Sequence, residues 1–172
     1  YELDGSRPTL ANMFTFNDLL SNTIDVQGFS HQSRQKIDQC HEAMPDKPIF
    51  MSECCSCNTM RGEDNSGGGL QRSFNAECQQ GQTNASNGVD YVVGTMVWTL
   101  FDYYGEPSNG GWPFVTSSFG AFDLTGFAKA GSYWFRSQWL YSIPDDSPDK
   151  TFSTSGLANG RDHMVHIVEG WD

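Results

Sequence analysis

Short apolar runs alternate with longer polar stretches of helical character along most of the chain. Turn-forming residues bound these runs, and a short continuous run of this kind is typical of a buried strand. The pattern predicts strands at residues 9–13, 24–29, 49–51 and 91–100. It predicts helices at residues 16–20, 34–43, 70–80 and 129–140.

Strands that alternate with helices predict an α/β fold with a parallel sheet of βα units. About four units precede residue 140, whereas a closed eight-stranded barrel takes about 250 residues. We therefore expect about half of a (β/α)8 TIM barrel. After residue 144 the pattern changes to short polar and β-prone pieces.

The charge balance argues against nucleic acid as a partner. The chain carries 21 acidic and 10 basic residues, a net charge of −11, whereas nucleic-acid binding requires clustered Lys and Arg. The acidic residues are scattered, which indicates a solvated surface. No apolar run is long enough to span a membrane, and neither a start Met nor a signal peptide is visible, so we expect a piece of a longer protein.

The five cysteines are an odd number and cannot all pair with one another. Cys54, Cys55 and Cys57 form a C-C-x-C sequence, which lacks the paired C-x2-C spacing of a zinc site. We predict small buried thiols and no metal site, with a disulfide as the alternative. The glycosylation sequence at residues 84–86 is a hint of a secreted or lumenal protein.

Functional side chains of a parallel barrel lie where its strands end. Glu53 follows the third predicted strand, His31 follows the second, and Trp98 and Asp102 lie at the end of the fourth. Together they offer a carboxylate, a ring that can carry a proton and an aromatic wall. Each also has a structural interpretation: a surface or capping acid, a loop residue, a core aromatic and a loop brace, respectively.

Four segments resemble glycoside hydrolase family 2, which includes β-galactosidases, β-glucuronidases and β-mannosidases. KPIFMSE at residues 47–53 resembles the family's nucleophile segment, and VWTLFDYYGEP at 97–107 resembles its last barrel strand and the loop after it. SFGAFDLTGFAK at 118–129 resembles the segment before its last barrel helix, and DVQGFSH at 25–31 is in the right order for the sixth strand. The resemblance implies the C-terminal half of the TIM barrel.

The resemblance also implies a retaining exo-β-glycosidase. Glu53 would attack the anomeric carbon to form a glycosyl-enzyme, while a second carboxyl group protonates the leaving oxygen and then activates water. Trp98 corresponds to the floor of the sugar pocket, and Asp102 would accept bonds from sugar hydroxyl groups. His31 stands where many relatives carry a Tyr that bonds the nucleophile, and its own protonation near neutrality would add a pH dependence.

The family's acid/base is the Glu of an Asn-Glu pair on the fourth barrel strand, and this sequence contains no such pair. We expect that residue, and the remainder of the barrel, in a longer chain or in another fragment. A half barrel exposes strand edges and an apolar face, so the chain alone is expected to be inactive. Residues 1–143 are assigned to the barrel, and residues 144–172 to a linker or the start of a β-sandwich domain.

The substrate is predicted from weaker signals. Ser-Glu followed by small residues and the Arg61-Gly62 pair resembles β-galactosidase-like members, and few basic residues follow the strand ends to bind a glucuronide. We therefore favour β-galactosides over mannosides, glucosaminides and glucuronides, and expect no cofactor. Two alternatives to an enzyme stay open: a carbohydrate-binding or structural barrel module without catalysis, and a non-hydrolytic assembly protein.

Overall fold

A computed structural model of the chain describes residues 5–54, 56–59, 76–86, 88–107 and 112–142. The chain divides into two compact units, one within residues 1–56 and 77–98 and the other within 57–76 and 99–172. Residues 144–172 lie outside the described ranges, so the domain boundary near residue 143 stays a prediction. Of the helices within those ranges, none is both long and apolar enough to cross a bilayer.

A parallel four-stranded sheet forms the first unit, and each strand is hydrogen-bonded to the next one in the chain. The strands are β1 (Leu10–Met13), β2 (Val26–Ser30), β3 (Ile49–Cys54) and β4 (Val92–Val97). The helices that follow the first three strands are α1 (Leu19–Thr23), α2 (Arg34–Ala43) and α3 (Ala76–Ser86). The predicted α/β class, with a parallel sheet of βα units, is therefore confirmed.

One face of this sheet is buried at its two central strands, β2 and β3. Phe29, Ile49 and Met51 share that face through the register of β2 and β3, and none is more than 1% exposed. Ile37 and Cys40 on α2 are equally buried, because the apolar positions of that helix recur three residues apart on one side. The core of the unit therefore lies on this side of the sheet.

The opposite face of the sheet is more open. Asn12, Gly28 and Phe50 are register partners on it, and Phe50 pairs in turn with Gly94. Met96, two residues further along β4, lies on the same face and is largely exposed. Parallel sheets are normally covered on both faces, so an apolar side chain exposed here is unusual.

Helix α1 begins later than the sequence pattern predicts. Asn17 has a φ of 58°, which no residue inside a right-handed helix adopts, so residues 16–18 precede the helix. Asp18 is the N-cap, and its side chain accepts a hydrogen bond of 2.8 Å from the backbone N–H of Ser21. The predicted helix at 16–20 is therefore wrong in its start.

Three other boundaries differ from the predicted ones. β3 continues to Cys54, so Glu53 is part of the strand rather than the residue after it. Helix α3 occupies Ala76–Ser86 instead of the predicted 70–80, and residues 70–75 lie outside the described ranges. The strand predicted at residues 91–100 is shorter in the structure, where only the six residues of β4 form it.

The second unit contains helix α4 (Ala130–Ser142), close to the predicted helix at 129–140, and the irregular segment before it. Phe122 forms isolated bridges with Phe101 and with Ala128. The backbone N–H of Lys129 donates to the carbonyl of Ala121 at 3.0 Å. These bonds hold the backbone of the segment in place, although the segment forms no regular strand.

Candidate active site

Glu53 lies at the carboxyl end of β3, the second strand from one edge of the sheet. The β2–β3 register shifts between Phe29 and Ser30, so that Ser30 pairs with Glu53. The carbonyl of Glu53 accepts the backbone N–H of His31 at 2.8 Å, and its side chain is 25% exposed. A carboxylate that is partly shielded but still accessible meets the first requirement of a nucleophile.

His31 also contacts Glu53 through its side chain, which lies beside the carboxylate. Its φ of 47° places it in the left-handed region, where residues other than Gly are uncommon and His is among the more tolerant. Nε2 of His31 lies 3.2 Å from Oε1 of Glu53 and 3.1 Å from the hydroxyl oxygen of Ser56. Since an ionised carboxylate only accepts hydrogen bonds, Nε2 carries the proton in this arrangement.

A second side chain, which the sequence analysis did not single out, binds the other oxygen of Glu53. Nδ2 of Asn12 donates to Oε2 of Glu53 at 2.8 Å, and the hydroxyl of Ser52 donates to Oδ1 of Asn12 at 2.7 Å. The available signal was a polar residue near the end of an otherwise apolar strand. That signal alone does not say which neighbour the amide reaches.

Trp98 follows β4 directly and lies at the same carboxyl edge as Glu53. Its backbone N–H donates to the carbonyl of Cys54 at 2.6 Å, which ties the two strand ends together. The residue is 38% exposed within this chain. Its role as the floor of a sugar pocket stays a prediction.

Asp102 belongs to the second unit, where it is engaged by a lysine. Oδ1 accepts from Nζ of Lys129 at 2.9 Å and from the backbone N–H of Gly120 at 2.8 Å, and Oδ2 accepts from Nζ at 3.0 Å. Lys129 is 1% exposed and also donates to the carbonyls of Thr59 and Ser118. This is the geometry of a loop brace, and sugar binding by Asp102 stays a prediction.

The described cysteines are of two kinds. Cys40 is a free, fully buried thiol, and burial raises its pKa to about 11, which keeps it protonated and unreactive at neutral pH. Cys54, Cys57 and Cys78 are disulfide-bonded, so the prediction of free thiols is wrong for them. Within the described residues, no three His, Cys, Asp or Glu side chains could together hold a metal ion.

Arg61, which carries part of the likeness to β-galactosidase-like members, lies outside the described residues. Ser56 belongs to the site, because its hydroxyl oxygen lies 3.1 Å from Nε2 of His31. The site of the first unit therefore consists of Glu53, the two side chains that bind its oxygens and their hydroxyl partners.

Polar side chains gathered at the carboxyl edge of a parallel βα sheet are characteristic of βα-barrel enzymes. No protein-family model matches the chain. The β-galactosidase BoGH2A of Bacteroides ovatus is 30% identical over 165 residues, covering 80% of this chain and 19% of its own length. A protein of Formosa agariphila named as a β-glucuronidase is 48% identical over 48 residues, covering 27% of this chain and 5% of its own length.

Among solved structures, the β-D-glucuronidase of Dictyoglomus thermophilum matches with a TM-score of 0.66 and 19% identity. The match covers 84% of this chain and 27% of that one, and it is a likeness of fold. The likeness in sequence to BoGH2A, together with the likeness of fold, supports membership of glycoside hydrolase family 2. It spans about a fifth of the length of BoGH2A.

Proposed function

We propose that this chain is the C-terminal half of the (β/α)8 barrel of a retaining exo-β-glycosidase, and that Glu53 is the nucleophile. The observation that carries the proposal is the hydrogen bonding and the exposure of the Glu53 carboxylate. Each of its oxygens has its own donor, Asn12 on one and His31 on the other, and the side chain is still 25% exposed. Membership of a glycoside hydrolase family supplies the reaction class.

In the proposed first step, a carboxylate oxygen of Glu53 forms a bond to the anomeric carbon while the glycosidic C–O bond breaks. The leaving oxygen takes a proton from the acid/base carboxyl group, which the remainder of the barrel contributes. In the second step water attacks the same carbon and gives its proton to that acid/base, and Glu53 departs as a carboxylate. Two successive inversions at the anomeric carbon retain its configuration. This mechanism requires the nucleophile and acid/base carboxyl groups to lie about 5–5.5 Å apart.

The open face of the sheet supports the half-barrel proposal. Leu10 and Met96 are exposed on β1 and β4, on the face that also carries Asn12 and Gly28. In a closed barrel this face points inward, where branched and apolar side chains form packed layers. The missing strands would cover these side chains and pair with the edges of β1 and β4, which no described strand occupies.

We propose β-galactosides as substrates, with β-glucuronides as the second candidate because of the Formosa agariphila relative. A glucuronide carries a carboxylate that needs a basic partner. Near the end of β2, His31 is bound to Glu53, and Arg34 lies 2.6 Å from Asp38. Both basic groups thus have anionic partners within the chain, which favours a neutral sugar. A kcat/KM higher for 4-nitrophenyl β-glucuronide than for the galactoside would reverse this choice.

The disulfides bear on where the protein functions. Structural disulfides persist mainly in oxidising compartments, and Cys54, Cys57 and Cys78 are all disulfide-bonded. We therefore propose a secreted or lumenal protein.

The nucleophile is tested by trapping the glycosyl-enzyme. A 2-deoxy-2-fluoro-β-galactoside with a good leaving group should inactivate the complete enzyme and add one fluorosugar to the peptide that contains Glu53. The fluorine slows both steps, and the activated leaving group restores only the first, so the intermediate accumulates. Excess galactose should protect the enzyme, and peptide mass spectrometry locates the label. A label on Asp102 instead would show that the nucleophile has been assigned to the wrong residue.

A further inference from the structure

Asn12 reaches Glu53 across an intervening strand. β2 lies between β1, which carries Asn12, and β3, which carries Ser52 and Glu53. The crossing is possible because Gly28 of β2 has no side chain. A Cβ at that position would lie 2.9 Å from the hydroxyl oxygen of Ser52 and 2.1 Å from the carbonyl oxygen of Ala11. Gly28 therefore keeps open the space in which the amide and the hydroxyl meet.

The hydrogen bonds in this space have one consistent direction. The ionised carboxylate of Glu53 only accepts, so the amide of Asn12 must present its NH2 group to Oε2. Its carbonyl oxygen then faces Ser52, whose hydroxyl donates to it at 2.7 Å and lies farther, at 3.2 Å, from its other acceptor, the carbonyl of Phe29. The Ser52 hydroxyl thus fixes the orientation of the amide, and the amide places a donor on the carboxylate.

We propose that Asn12 is a positioning residue for the nucleophile, held in place by Ser52, and that it acts mainly in the second chemical step. The inference rests on the proposed role of Glu53. Rotation of a Glu carboxylate about its last side-chain bond is broadly permitted, so one donor leaves its plane free. Donors on both oxygens, from Asn12 and His31, fix that plane toward the anomeric carbon.

The preference for the second step follows from where charge develops. In the glycosyl-enzyme the Glu53 group is a neutral ester, and hydrogen bonds to it are weak. As water attacks and the bond between Glu53 and the sugar breaks, negative charge returns to the carboxylate. Hydrogen bonds to a charged acceptor are about twice as strong as neutral ones, so the Asn12 donor stabilises this transition state more than the ester.

The test measures both steps in the complete enzyme with the fluorinated galactoside. Inactivation reports formation of the glycosyl-enzyme, and recovery of activity after removal of excess reagent reports its hydrolysis. In Asn12→Ala we expect reactivation to slow by about tenfold or more, with inactivation much less affected. With a 2,4-dinitrophenyl galactoside, for which hydrolysis of the intermediate limits turnover, kcat and KM should fall together and kcat/KM should change little.

Variants of Ser52 and Asn22 provide the controls. Ser52→Ala should slow reactivation by a smaller factor than Asn12→Ala, and Ser52→Thr should restore it because the hydroxyl is kept. Asn22→Ala, on the exposed side of α1, should behave as wild type. If Asn12→Ala does not fold, the comparison of Ser52→Ala with Ser52→Thr decides the question.

Two results would overturn the inference. One is reactivation of Asn12→Ala, or of Ser52→Ala where the former does not fold, at the wild-type rate. The other is an equal loss in both steps, which indicates a general loosening of the site. Failure of the proposed function looks different: the wild-type enzyme would then remain unlabelled at Glu53.

Discussion

Replacing Glu53 by Gln in the complete enzyme is expected to lower kcat on the order of 10⁴-fold or more, because no glycosyl-enzyme can form. The amide has the shape of the carboxylate but not its nucleophilicity. Its NH2 group will face one of the two donors, Asn12 or His31, at the cost of one hydrogen bond. The stability of the protein should therefore change little while the reaction is lost.

Turnover of 4-nitrophenyl β-galactoside and a melting curve on the same preparation measure both effects. Glu42→Gln, an exposed acid on α2, provides the matched control and should retain wild-type kinetics. In Glu53→Ala, added azide should take the place of the carboxylate and give the α-glycosyl azide, a product of single inversion. Activity of Glu53→Gln close to wild type would remove Glu53 from the mechanism.

The strands were predictable because each is marked by its own apolar run. Ile49 and Met51 alternate with less buried neighbours and pack into the core, and the run around Val92–Val97 forms β4. Helix α1 was misplaced because its start is set by Asp18, whose capping bond depends on the left-handed turn at Asn17. Apolar spacing identifies a helix well, but such local capping geometry determines where the helix begins.

The pair at the centre of the site was also predictable, though from topology rather than from spacing. Glu53 and His31 lie far apart in sequence, yet parallel neighbouring strands bring their carboxyl ends to one edge of the sheet. Asn12 was not predictable in this way. Its contact with Glu53 depends on the strand register, on Gly28 and on the orienting bond from Ser52, none of which leaves a motif.

Neither the cysteine pairing nor the burial of Lys129 could be predicted from the sequence, because both depend on tertiary contacts. Disulfide pairing depends on tertiary proximity, so composition could not separate the free Cys40 from the bonded Cys54. Lys129 opens a predicted amphipathic helix, where lysine is normally solvated. Its burial follows from four oxygen acceptors contributed by different segments of the second unit.

Replacing Lys129 by Met is expected to destabilise the protein by about 3–5 kcal/mol, the usual cost of removing one partner of a buried ion pair. The side chain of Lys129 is 0% exposed and that of Asp102 is 10% exposed. Met has a similar volume, so the loss is electrostatic rather than a cavity. Asp102 would keep the Gly120 N–H but lose its counter-ion, and the carbonyls of Thr59 and Ser118 would lose a donor.

Thermal unfolding of the complete enzyme measures this loss, which corresponds to a fall in Tm on the order of 10 °C for a domain of barrel size. Lys36→Met is the control: Lys36 lies over the ring of Phe16 at 4.8 Å, a contact worth about 0.5–1 kcal/mol. Adding Asp102→Leu to Lys129→Met should recover part of the stability, because the unpaired buried charge disappears. A Lys129→Met variant as stable as wild type would mean that Asp102 does not depend on the lysine. The carboxylate would then be available for the sugar contact that the family resemblance implies.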